Sequence, residues 1–262
     1  MTPVLLGPIE FRGPRRTHLA GLRVYLASLR AHAPAARVVV FNRSMGYAPI
    51  RAVLSYYDVE EVDVQAFDAA HGIPSGWSPH TRGLTYRAWL REHPVERVLC
   101  TDLTDVVWQR APEVGEIFTV AEESQRIAES AYNQHYLAMS YPPSQWAAIR
   151  DRAVLCAGVI GGSGDAVLAY LDAYAADALA RPDIRRDLGL DQAFLALYAH
   201  TGRGPVEILP YGNAAIAHIG SAPPETVQWQ DGTVTCAGVV PTLVHQYNRH
   251  PAILAALEAQ WR

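Results

Sequence analysis

Arg97-Val98-Leu99-Cys100-Thr101-Asp102-Leu103-Thr104-Asp105-Val106-Val107-Trp108 is the stretch on which the fold turns. Arg97–Thr101 is apolar and short enough to be a buried strand. Two carboxylates follow, three positions apart, where that run stops. A carboxylate beside a core is costly unless something positive meets it. Either Asp102 and Asp105 cap the next turn, or they hold a divalent cation through their oxygens.

Outward from this stretch, strand-like and helical runs alternate. Val4–Leu6 reads as a first strand. Thr17–His32 carries Leu19, Leu22, Leu26 and Leu29 at helical spacing and is closed by Pro34. Arg37–Phe41 is a second strand, Ala48–Tyr57 a helix, Val62–Phe67 a third strand and Leu84–Glu92 a helix stopped by Pro94. Arg97–Thr101 is then the fourth strand. This order predicts an α/β fold whose mostly parallel central sheet is flanked by helices. Ligands of such sheets bind beyond the carboxyl ends of strands, where the acid pair falls.

The second half is more mixed. Glu116–Ala121 reads as a strand and Ser130–Pro143 as an irregular aromatic segment. Ala153–Gly161 is apolar, and Gly162–Gly164 reads as a tight strand-to-helix turn rather than a phosphate cradle. Asp165–Leu179 and Asp191–His200 read as helices. Glu207–Pro210, Thr233–Cys236 and Pro241–Gln246 read as strands, and Ile253–Trp261 as a terminal helix. No repeat, low-complexity tract or linker divides the chain, so residues 1–262 are expected to form one domain.

The chain of 262 residues is half hydrophobic and carries a net charge of −4. It has no run of Lys and Arg, so the electrostatic footprint of a nucleic-acid binder is missing. Cys100, Cys156 and Cys236 are widely spaced with no CxxC pair, which argues against a zinc site or a disulfide framework and for buried free thiols. No segment approaches the ~20 apolar residues of a membrane span. Met1–Gly7 lacks a charged leader. A cytoplasmic protein with no membrane span is expected.

Other residues carry chemistry with a plainer reading beside it. In Val244-His245-Gln246-Tyr247-Asn248-Arg249-His250-Pro251, His245 follows an apolar run as either a metal ligand or a satisfied core histidine. Gly158 lies inside an apolar run, where glycine lets a ligand or another backbone come close. Asp191-Gln192 opens a helix, so Asp191 either sits at its positive end or faces a sugar. In Thr81-Arg82-Gly83-Leu84-Thr85-Tyr86-Arg87, Arg82 is placed to pair with a diphosphate and Tyr86 to stack or hydrogen-bond. Arg12, Arg15 and Arg16 cluster after the first strand and read as a basic loop, solvated or facing phosphate. No phosphate-cradling glycine motif, nucleophile elbow or HExxH is present.

Four of these segments, in order, resemble a GT-A-fold, nucleotide-sugar-dependent glycosyltransferase of a small bacterial, distantly glycogenin-like type. Val98–Val107 resembles the strand carrying the DxD metal motif, here as Asp-x-x-Asp. Leu155-Cys156-Ala157-Gly158-Val159-Ile160-Gly161-Gly162 resembles the "Asn-Ala-Gly-Val" strand of the donor-sugar pocket. Gly189-Leu190-Asp191-Gln192 resembles the "Asp-Gln" motif, and Val244–Pro251 the C-terminal segment that supplies a third metal ligand. The likeness covers roughly residues 81–251. One departure stands out: Cys156 replaces the family's Asn, and a thiol hydrogen-bonds poorly.

The resemblance implies a metal-dependent enzyme moving a hexose or N-acetylhexosamine from a UDP-sugar to a small-molecule or carrier-protein-bound acceptor, with Mn²⁺ or Mg²⁺ bound. It implies Asp102, Asp105 and His245 as metal ligands. Arg82, Tyr86, Asp102, Cys156 and Gly158 would contact the nucleotide sugar, and Asp191 and Gln192 would be catalytic residues facing the sugar. Residues 1–110 would be the nucleotide-binding half and 111–262 the donor-sugar and acceptor half, with Tyr132–Trp146 as acceptor wall or lid. Similar enzymes with this Asp-Gln pair retain configuration; Asp191 as a base would instead invert it. Two other classes compete. A sugar-phosphate nucleotidyltransferase would want a glycine-rich basic loop after the first strand, of which Leu6–Gly13 is a poor version. A non-catalytic nucleotide-sugar-binding domain would need neither. High Ala and Arg usage points to a GC-rich bacterium, where decoration of secondary metabolites such as antibiotics is common.

Overall fold

The β-branched runs form one parallel block. β1 (Val4–Ile9) lies between β2 (Val38–Asn42) and β4 (Arg97–Thr101), parallel to both, and β3 (Glu60–Asp63) extends the block beyond β2. This is a computed structural model that describes residues 2–9, 15–74, 81–181 and 189–261; of residues 15–17 it describes the backbone alone. Helices α1 (Arg15–His32), α2 (Ala48–Tyr56), α3 (Val64–Ala70) and α4 (Arg82–Glu92) connect these strands. Arg12 lies outside the described residues, and so do the side chains of Arg15 and Arg16.

Past β4 the sheet turns antiparallel. β8 (Val159–Ser163) pairs with β4, and β6 (Phe118–Arg126) with β8. β7 (Ala153–Leu155) runs antiparallel to β6, and β9 (Val206–Leu209) parallel to it. The eight-stranded sheet is thus mostly parallel, and it draws strands from both halves of the chain. Successive strand residues point to opposite faces. Leu6, Val39, Phe41, Val98 and Cys100 accordingly join one core with α4, α7 (Gly164–Leu179) and α8 (Leu190–His200). Leu5, Val38, Val40 and Leu99 join another with α1 and α2.

A second sheet forms where the acid stretch ends. β5 (Val106–Trp108) pairs antiparallel with β13 (Leu243–His245), which pairs in parallel with β10 (Ile216–His218). A hairpin of β11 (Val227–Gln230) and β12 (Thr233–Cys236) and the terminal helix α9 (Pro251–Gln260) close a third core over Val107 and Val244. Among the described residues no helix is long and apolar enough to cross a membrane.

Three local expectations fail for physical reasons. Val64–Phe67 is helix rather than strand, because the Asp63 carboxylate accepts from the Gln65 and Ala66 amides and starts α3. Ser130–Pro143 is not irregular: Ser130 caps α5 (Ala131–Ser140), in which only Leu137 and Ser140 are buried, so no apolar stripe announces the helix. Pro143–Trp146 adds a short helical turn, α6. Gly162 and Ser163 are strand and Gly164 opens α7, not a turn, and Ser163 caps α7 by accepting from the Ala166 amide. The real turn falls earlier, between β7 and β8, at Cys156–Gly158.

Candidate functional site

Strand register brings the site together. Thr101 pairs with Val159 across β4 and β8, and one step further the Asp102 amide donates to the Gly158 carbonyl at 2.8 Å. Val106 pairs with His245 across β5 and β13, and the Gln246 amide donates to the Asp105 carbonyl at 2.8 Å. Gln246 takes a left-handed φ of +66°, which turns the chain sharply behind His245. Residues 102–105 are wedged from behind. Leu103 occupies the space over Gly7, and the Thr104 carbonyl presses on Gly21 of α1, where any Cβ would collide with it. Gly158 is equally constrained: a Cβ there would run into the His245 ring and fall 2.8 Å from Asp102 Oδ2.

The acid pair and His245 therefore converge. His245 Nε2 lies 3.3 Å from Asp102 Oδ2 and 3.6 Å from Asp105 Oδ1. One ligand atom from each residue fits within 4.8 Å of the other two. Buried His245 Nε2 has no aligned hydrogen-bond partner among the described residues. It faces the two carboxylates at ion-pair distance.

Arg82, at the start of α4, organises the acids. Its Nη1 donates to Asp102 Oδ1 at 2.5 Å, and its Nη2 to the Ala157 carbonyl at 3.0 Å while pairing with Asp191 Oδ2 at 2.9 Å. Burial alone would raise the Asp102 carboxyl, but the Arg82 guanidinium and His245 outweigh it and hold it well below the usual range. Asp105 goes the other way: burial, with Asp102 as a neighbouring like charge, pushes it up against the pull of His245. Burial would lower His245, yet Asp105 and Asp102 outweigh it and raise it. Asp102 and Asp191 share the Arg82 guanidinium, while Asp105 faces His245 and feels the charge of Arg249. Two carboxylates and an imidazole are the donor set expected for a hard or borderline divalent ion such as Mg²⁺ or Mn²⁺.

The remaining expected residues fall into three positions. Asp191 sits on the groove wall and its Oδ1 accepts the Gln192 amide. The Gln192 side chain is fully engaged: Oε1 accepts from the Ala157 amide at 2.8 Å, and Nε2 donates to the Leu155 carbonyl at 2.5 Å and to Asn133 Oδ1 at 3.1 Å. It clamps the turn carrying Cys156 rather than presenting a free amide. Tyr86 is buried against Phe41 and lines, with Arg82, Gly158 and Asp191, a cavity of about 20 Å³; it is not among the residues lining the large groove. Cys156 turns its thiol toward His245 Nδ1 at 3.6 Å.

A groove of about 1090 Å³ opens over these groups, lined by Arg82, Asp102, Asp105, Asp191 and His245 and by Tyr132, Asn133 and Tyr136 of α5. Two groups were not singled out in the sequence. Arg249 is exposed on the rim and its charge acts on Asp105. His218 is fully buried and meets His245 Nδ1 to Nδ1 at 3.0 Å. Arg249 was visible inside the His245 segment. His218 needed the pairing of β10 with β13, which no sequence spacing reveals.

No protein-family model matches this chain, and no curated protein matches it. The class defined by fold and site is therefore structural: an α/β protein with a candidate divalent-cation centre beyond the carboxyl end of a central strand.

Proposed function

We propose that this protein is a metal-dependent glycosyltransferase that takes a sugar from a UDP-sugar and passes it to a small-molecule or carrier-bound acceptor. The observation that carries the reading is the convergence of Asp102, Asp105 and His245, from chain segments some 140 residues apart, on one point at the groove floor. Mn²⁺ or Mg²⁺ held there would act as a Lewis acid and template toward a diphosphate. Asp102 and Asp105 supply the oxygens that orient it. Arg82 keeps Asp102 ionised and its carboxylate fixed. Gln192 holds the Leu155–Ala157 carbonyl and amide in place, and the absence of a side chain at Gly158 leaves room beside the acids. Asp191, paired to Arg82 through Oδ2, is the groove-wall carboxylate left to face the transferred sugar. Exposed Tyr132, with Tyr136, offers aromatic surface for the acceptor across the groove.

The test is a panel of nucleotide sugars, each with and without Mn²⁺, read by thermal stabilisation and then by UDP release. A ligand at a hundred times its dissociation constant stabilises by about 2.7 kcal/mol. At least one UDP-sugar is expected to stabilise the protein with Mn²⁺ and not with chelator. No stabilisation by any member, or release of pyrophosphate from nucleoside triphosphate and sugar phosphate, would overturn the reading.

A further inference from the structure

The His245 ring has a second side. Its Nδ1 lies 3.6 Å from Cys156 Sγ and 3.0 Å from His218 Nδ1. The three groups are buried, and one ligand atom from each fits within 4.8 Å of the others. Cys156 follows β7, and the parallel register of β10 and β13 sets His218 directly against His245. We propose that Cys156, His218 and His245 form a second metal site, one for a soft, zinc-class ion, back to back with the acid site.

The distances suit such an ion. Zinc bonds of about 2.0–2.1 Å to nitrogen and about 2.3 Å to sulfur, at tetrahedral angles, place two nitrogens roughly 3.4 Å apart and sulfur roughly 3.6 Å from nitrogen. The Cys156–His245 separation already matches, the two rings need to part by only a few tenths of an ångström, and the third separation lies within 4.8 Å. The donor set is also the right kind: one thiolate and two imidazoles select zinc-class ions, whereas carboxylates select Mg²⁺, Ca²⁺ and Mn²⁺. Three protein ligands leave a fourth position for water, and Cys156 and His245 both line the groove from which ion and water would arrive.

For His245 the outer partners fit as well; His218 Nε2 has none among the described residues. A histidine bound to zinc donates its other ring N–H to a carboxylate, which fixes its tautomer. His245 Nε2 faces Asp102 Oδ2 at 3.3 Å and Asp105 Oδ1 at 3.6 Å. The same acids that would ligate a hard cation would thus be outer partners of a soft one. Binding forms coordinate bonds to Sγ and to the two Nδ1 nitrogens; the thiol proton leaves to solvent, and the proton shared between the two Nδ1 atoms leaves with it or moves to an Nε2. A neutral imidazole has one lone pair, so an ion on Nδ1 leaves the proton on Nε2 and denies that nitrogen to the acid site. The wide cysteine spacing that argues against zinc speaks only to cysteine-based frameworks. Here a single thiol is joined by two histidines from other strands.

The site is tested on the full chain, stripped with chelator and titrated with Co²⁺ as a spectroscopic stand-in for Zn²⁺. One equivalent is expected to give a thiolate-to-cobalt charge-transfer band and the intense visible bands of a four-coordinate ion, both erased by one equivalent of Zn²⁺. Cys156→Ser should abolish the charge-transfer band and weaken Zn²⁺ binding by more than the roughly 10–100-fold that loss of an outer partner costs. His218→Asn should weaken it comparably, and circular dichroism establishes that each variant is folded. Asp105→Asn should keep the band, with affinity reduced by no more than that outer-partner range. Absence of the band in the parent, its survival in Cys156→Ser, or its loss in folded Asp105→Asn would overturn the proposal. The readout needs no nucleotide and no Mn²⁺, so it stands or falls apart from the glycosyltransferase reading.

Discussion

The two faces of the His245 ring are assembled by different means. On the Nε2 face, Asp102 and Asp105 follow directly from one strand, and their loop is held by contact and charge: Leu103 over Gly7, the Thr104 carbonyl against Gly21, and Arg82 between Asp102 and Asp191. On the Nδ1 face, Cys156 and His218 come from distant segments, positioned by the Gln192 clamp and by strand register. The first face is close in sequence and fixed by the backbone. The second depends on long-range pairing and on individual side chains, so substitutions at residues the faces do not share should weigh on one face more than on the other.

The largest effect is expected at Arg82. Arg82→Ala leaves Asp102 and Asp191 without their shared counter-charge, and breaking a buried pair costs about 3 kcal/mol or more. That corresponds to a melting temperature lower by roughly 6–12 °C, read by thermal unfolding in chelator. Mn²⁺ should recover part of the loss by supplying the missing positive charge. Failure to recover would separate the acids from cation binding. Gly21→Ala comes next. Its methyl group must displace the Thr104 carbonyl, an overpacking cost of about 1–3 kcal/mol. Mn²⁺ affinity should fall with it while the cobalt spectrum of the thiol face is unchanged; equal damage to both would mean that the faces are not separable. Gln192→Ala should act on the other face, leaving the Ala157 amide and Leu155 carbonyl unpaired at about 1–3 kcal/mol. Here the cobalt band should change more than Mn²⁺ affinity does.

Much of the acid face could be read from the residues themselves. Arg97–Thr101 is a strand with those bounds, the acids lie past its end, and His245 meets them. The parallel block was legible where its strands are short apolar runs set apart by helices; of β3 only Val62 and Asp63 fell inside the expected strand. The thiol face was not. β5 and β10 are three residues long, too short to show a period of two. His218 sits in an unremarkable Ile216-Ala217-His218-Ile219 run, and its meeting with His245 depends on that hidden pairing. Gln192 looked like a sugar-facing amide because sequence cannot show that its hydrogen bonds are already taken.

The smallest effect concerns pH and the support beneath β7. The His200 ring nitrogen Nε2 contacts the Ala153 carbonyl at 2.9 Å, and burial lowers its pKa below the ordinary value of 6.5. The folded state therefore resists a proton that the unfolded chain accepts, and the unfolded state binds more protons as pH falls through about 6.5. His200 should cost stability below that pH and be silent above it. The difference in unfolding free energy between the parent and His200→Gln, followed from pH 8 to 5, should shift in favour of the variant as pH falls. A pH-independent difference would contradict this sign.

The most direct measurement is a Mn²⁺ titration followed by electron paramagnetic resonance, on the parent and on Asp105→Asn and His245→Ala, each checked for folding. One bound ion in the parent, with affinity at least about 100-fold weaker in both folded variants, is the expected result. Equal affinity in all three would mean that Asp102, Asp105 and His245 do not share an ion.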